Sequence, residues 1–300
     1  MNKLKKGLMA LGIGLYSLLP VQSERDVYVQ NTSELEQALQ IDSSTEHIRI
    51  NLANNKYEPS DYIVLDNQSL IGETPLDIFD NMRVSLDYES NTGATLNRHI
   101  CFRGNSDISN LILDVPERVT PIVFQNAVVK DIHLDNIYIK RNYEYERPTI
   151  LFFTSNANNI SISNSYISSG NHKGISINEN IQSGEITLEN NIFHNNNIAL
   201  WGNSTALFNA HNNVFMSKDY NIDVARPPYE LDFEDNWWYR PKQSLRDGND
   251  LEYELITSEG EIRDTINVRE KSNTQNIDVI PFYNNPFFEI QTAVENWDMY

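Results

Sequence analysis

The chain has 300 residues, a formal net charge of −19 and one cysteine. So acidic a balance repels nucleic acid, anionic lipid and bare polyanions, whose attraction needs clustered Lys and Arg, so no nucleic-acid partner is expected. Cys101 alone forms no intrachain disulfide, and stability has to come from packing.

Lys3, Lys5 and Lys6 precede an uncharged run from Gly7 to Ser23. A basic start, a short apolar core and the small-residue site Val21-Gln22-Ser23 predict a signal peptide over residues 1–23; the alternative is a retained anchor. The apolar part, Leu8 to Leu19, is too short to span a bilayer, and no later segment comes close. The expected product is secreted or periplasmic, with no transmembrane segment after signal removal. Losing three lysines and no acids takes the charge from −19 to −22. Next, "NTSELEQALQI" places Thr32 or Ser33 as the N-cap of a short amphipathic helix, suited to covering an open sheet edge.

From there a repeat takes over. "SDISNLIL", "IHLDNIYI", "ISISNSYI", "ITLENNIF", "FNAHNNVF" and "LDFEDNWW" align on Asn110, Asn136, Asn164, Asn190, Asn212 and Asp235, spaced 22 to 28 residues apart. Two positions before the anchor stand Ile108, Leu134, Ile162, Leu188, Ala210 and Phe233, and three after it Leu113, Ile139, Ile167, Phe193, Phe215 and Trp238. A second short strand follows each of the first five anchors, at Ile122, Ile150, Ile175, Ile198 and Ile222. Such a period, with short strands and no helical pattern, describes one coil of a β-solenoid. Stacking is obligatory, because about six buried apolar side chains at roughly 2 kcal/mol each do not offset ordering about 25 residues at roughly 1 to 2 kcal/mol each. In register, the anchor asparagines are expected to form a column of amides tying one coil to the next. The charged segment 242–276 lacks the anchor and is expected to wrap the last coil.

"NNIF", "NNVF" and "DNWW" after alternating apolar residues, "GISI" in the second strand and the early "YIVLDNQSLIGE" resemble the right-handed parallel β-helix, or pectin lyase-like, proteins. "DNWWYRP" followed by "NIDVIPFYNNPF" is similar to the closing segment of secreted β-helix repeat proteins. The expected architecture is all-β: one right-handed parallel β-helix over residues 24–240 with an N-terminal capping helix, and a C-terminal cap or tail over 241–300. The resemblance implies a polysaccharide or cell-surface glycan as partner of a monomer, and, for an enzyme, a polysaccharide lyase or glycoside hydrolase.

The family's catalytic motifs are not intact. "SGNHKGISI" keeps His172 and Gly174 near the polygalacturonase Gly-His-Gly, without the paired aspartates that hydrolysis by acid and base needs. "ARPPYELD" offers Arg226 and Pro228 but puts Leu231 where the pectate lyase pattern has its second arginine. His172 as a turn residue and Arg-Pro-Pro as a rigid turn are the plainer readings. Strand alternation turns Asp107, Asp131, His133 and Asp135 outward, so Asp107, Asp131 and Asp135 are candidate Ca²⁺ ligands, against a plainly solvated acidic face. In the second strand Arg103, Gln125, Phe153, Asn178 and Trp201 form an expected outward row, beside Cys101, Val123, Leu151, Ser176 and Ala199. Phe153 and Trp201 are the aromatic platforms of a candidate sugar site, with amides between them. The alternative is a β-helix scaffold or adhesion module binding protein.

Overall fold

The computed structural model describes residues 23–78, 93–116, 118–126, 128–141, 147–154, 156–177, 183–202, 207–217, 220–224, 231–232, 236–238, 250–256, 262–269 and 277–278. Residues 1–22 of the expected signal segment, Asn178, Arg226, Phe233 and the anchor Asp235 lie outside them. Among the described residues, strands stack into a sixteen-stranded and a nine-stranded sheet, forming a parallel β-solenoid of about six turns.

Each repeat row lays the strand before its anchor, and in the later rows a separate short strand just after it, in the larger sheet, and its next strand in the smaller one. The strands Ser106–Leu113, Val128–Ile139, Asn156–Ser163, Ser183–Glu189 and Leu207–His211 run parallel in the larger sheet. Ile122–Phe124, Ile150–Phe152, Lys173–Ile177 and Ile198–Gly202 do so in the smaller one. The aligned columns become stacks: Ile108, Leu134, Ile162, Leu188 and Ala210 are buried, as are Leu113, Ile139, Ile167, Phe193 and Phe215. Like residues fall on like, so rings meet face to face at the strand spacing. Phe102, Phe124 and Phe152 stack with centroids 5.2 and 4.1 Å apart, and Phe193 lies 4.9 Å from Phe215.

The anchor column serves another purpose than the expected one. Asn110, Asn136, Asn164, Asn190 and Asn212 have φ between 51° and 56°, the left-handed region that asparagine tolerates better than most residues. Among their half-buried side chains, Asn136 Nδ2 donates to Asn110 Oδ1 at 3.1 Å, while Asn110 Nδ2 reaches the Gly72 carbonyl and Asn164 Nδ2 the Asp135 carboxylate. The buried ladder stands one residue later. Ser165 Oγ accepts from the Ile137 amide, Asn191 Oδ1 from Ser165, Asn213 Oδ1 from Asn191 and Asn236 Oδ1 from Asn213, at 2.8 to 3.1 Å. The side-chain amides of Asn191, Asn213 and Asn236 donate to the carbonyls of Ile162, Leu188 and Ala210. At the left-handed bend the strand ladder is interrupted, and the next residue, turned inward, supplies the missing partners.

The ends differ in detail from the expectation. The helix Thr32–Ala38 is capped by Asn31, not Thr32 or Ser33. Asn31 Oδ1 accepts from the Glu34 amide while Glu34 Oε2 accepts from the Gln30 amide, a reciprocal pair at the helix start; Thr32 has Leu35 three residues on, and Glu36, three on from Ser33, is held by the Ser60 amide instead. Leu35 and Ala38 are buried, and the helix packs against Glu24–Val29 and Lys56–Tyr57. Within the segment expected to wrap the last coil, Asp250–Ile256 and Ile262–Arg269 pair antiparallel, and Val268 lies opposite Ile222, at one end of the nine-stranded sheet. Among the described residues no helix is long and apolar enough to cross a membrane.

Candidate functional site

In the nine-stranded sheet each short strand points two residues into the core and one outward, so the outward residues form a row. Val64, Cys101, Val123, Leu151, Ser176 and Trp201 stand opposite one another in register. Beyond them the amides of Arg103, Gln125 and Phe153 donate to the carbonyls of Leu65, Phe102 and Phe124, continuing the ladder. Two steps along a strand restore the outward direction, which makes Arg103, Gln125 and Phe153 a second row, all exposed, with Phe153 at 50%.

Trp201 belongs to the first row and not, as the sequence alignment had it, to that of Phe153. Ile198 and Leu200 are both apolar two residues apart, so either register presents an apolar residue to the core. The structure sets Leu200 opposite Ile175. Phe153 and Trp201 are thus two strands and two residues apart, roughly 12 Å at the usual strand spacing and rise. Trp201 is half-buried and carries the Lys173 ammonium 3.3 Å from its ring centroid. Cys101 is buried, and burial pushes its thiol pKa up, which suits a packing residue and not a nucleophile.

The outward face of the sixteen-stranded sheet is polar. Asp107, His133, Ser161 and Thr187 stand in register, with Ser109, Asp135, Ser163 and Glu189 two residues along. His133 Nδ1 and Ser161 Oγ are hydrogen-bonded at 2.7 Å. Asp135 Oδ1 accepts from Ser163 Oγ and Asn164 Nδ2, and Asp131 Oδ1 from Asn159 Nδ2. Asp131 itself has φ 53°, a left-handed residue within the strand that breaks the alternation placing it beside Asp135. The three candidate Ca²⁺ ligands do not converge: among the described residues no group of three His, Cys, Asp or Glu is placed to hold a metal ion. The carboxylates of Asp131 and Asp135 tie neighbouring coils together instead.

His172 sits half-buried in the bend before Lys173–Ile177, where its carbonyl accepts from Ser169 Oγ and the Asn197 amide. Those are the bonds of a turn residue. One feature was missed in the sequence: Tyr62, just before Ile63–Leu65, stacks on His99 with centroids 5.1 Å apart and remains 44% exposed. The signal was an aromatic at the outward position two residues before Val64, in the coil preceding the aligned rows. No family model matches this chain, and no curated protein does.

Proposed function

We propose that this protein is an exported, pectin lyase-like β-helix whose nine-stranded face binds a polysaccharide. The observation that carries the reading is the exposed row of Arg103, Gln125 and Phe153 beside the shallow apolar row of Val64, Val123 and Leu151. A linear, repeating protein surface suits a linear, repeating ligand. Phe153 offers a face on which the apolar side of a sugar ring loses water, and Gln125 and Arg103 offer directional bonds to hydroxyls. The proposal covers binding and assigns no cleavage step.

The second reading is a scaffold that binds another protein. It draws on the half-buried Val64, Val123 and Leu151, an apolar strip that another protein would cover more fully than a glycan. A glycan array with the purified protein separates the two. The expected result is binding to an extended glycan, weakened about tenfold or more by Phe153→Ala, in keeping with roughly 1 to 3 kcal/mol for a stacked ring, while the urea midpoint is unchanged. Absence of any glycan ligand, or a Phe153→Ala variant that binds as the parent does, overturns the reading in favour of the scaffold.

A further inference from the structure

At one end of the nine-stranded sheet, the segment 59–62 and the capping helix enclose an open cleft of about 450 Å³, within the usual size of small-ligand sites. Two bonds tie its walls together: the Ser60 amide donates to Glu36 Oε1 at 2.7 Å and the Glu58 amide to Thr32 Oγ1 at 3.0 Å. Within the segment, the Tyr62 amide donates to Asp61 Oδ1 at 2.8 Å. The helix is fixed by its capping box and the Tyr62 ring by its stack on His99. This cleft is therefore shaped before any ligand arrives.

Its lining is chemically lopsided. Glu36, Gln37, Gln40, Ser60, Asp61 and Tyr62 contribute two carboxylates, two amides, a hydroxyl and a ring, and no Lys or Arg lines it. The bond from the Ser60 amide holds the Glu36 carboxyl below its ordinary pKa, keeping it ionised. Burial pushes the His99 imidazole down, so the ring behind Tyr62 is neutral at neutral pH and repels no cation.

We propose that this cleft binds an amino sugar, a hexosamine unit with a free ammonium group. The ammonium meets Glu36 and Asp61, the ring hydroxyls meet the Gln37 and Gln40 amides, and the apolar side of the sugar lies on Tyr62. A uronic acid would bring a negative charge to two carboxylates, and an N-acetylated sugar would forgo the charge the cleft is built to receive. The inference rests on the cleft alone and not on glycan binding by the Phe153 row.

The test is an NMR titration of the purified protein with a β-1,4-linked glucosamine dimer, its N-acetylated form and spermidine. The glucosamine dimer is expected to shift the resonances of Tyr62 and Gln37 and to bind about tenfold or more tightly than the N-acetylated form, the scale of one lost charged hydrogen bond. Tyr62→Ala and Asp61→Asn should each weaken it about tenfold; asparagine retains the acceptor for the Tyr62 amide, and urea midpoints confirm folding. Phe153→Ala should leave this binding unchanged, which separates it from the glycan reading above. No response to the glucosamine dimer at millimolar concentration, equal affinity for the N-acetylated form, or spermidine binding as tightly and indifferently to Tyr62→Ala would overturn the assignment.

Discussion

Within "ITLENNIFHNNN" neighbouring asparagines have different duties. Asn190 and Asn195 carry φ of 55° and 56°, and each is followed by a buried amide, Asn191 or Asn196, that completes backbone bonds of the preceding coil. Asn191→Ala should therefore destabilise by roughly 1 to 3 kcal/mol, because the Ser165 amide and the Ile162 carbonyl both lose a buried partner. Asn190→Ala should cost about 1 kcal/mol for the left-handed bend, and Asn190→Gly very little. Urea midpoints check the order; a Gly variant at 190 as unstable as the Ala variant, or Asn191→Ala as mild as Asn190→Gly, would show that the two duties are wrongly assigned. The sequence displayed the periodic asparagine but not its backbone angle. A left-handed bend and an amide stack both select asparagine, so the residue type alone does not tell them apart.

At the scale of strands, left-handed residues and one bulge explain where sequence alternation failed. Asp131 and Asn159, with φ 53° and 52°, lie on adjacent strands joined by the bond from Asn159 Nδ2 to Asp131 Oδ1. The next strand lacks this feature: Ala157 faces Gly184 and Ile160 faces Ile186, so Asn158 and Asn159 together oppose Glu185. Gly184 accommodates the shift with φ 153°, and a Cβ there would fall on the Ala157 carbonyl. Gly184→Ala should accordingly cost roughly 1 to 3 kcal/mol by thermal or chemical unfolding, the scale of a residue held in strained backbone. An unchanged midpoint would contradict the register. Inward columns were readable because each coil had to match its neighbours in size and polarity, as Ile100, Ile122 and Ile150 do. Register at Trp201 was not, because two apolar residues satisfied the core equally well.

For the molecule as a whole, stacking explains why fold was legible and function was not. Every coil buries its columns against the next, so the repeat writes itself into the sequence; outward residues answer only to a ligand, and one chain shows them once. The candidate Ca²⁺ ligands illustrate the limit, since alternation put Asp107, Asp131 and Asp135 on a common face while the fold gave Asp131 and Asp135 neighbouring side chains as partners. Tyr62 illustrates the converse, an outward aromatic whose place became visible only once the helix lay beside it. The function proposed for this fold is glycan binding on the nine-stranded face. Hydrogen exchange of the purified protein, with and without the glycan that binds best on the array, tests it directly. Slower exchange is predicted in peptides covering Arg103, Gln125 and Phe153, with Val128–Ile139 and Asn156–Ser163 unchanged. Protection of the sixteen-stranded face instead, or no protection at a saturating concentration, would contradict the claim.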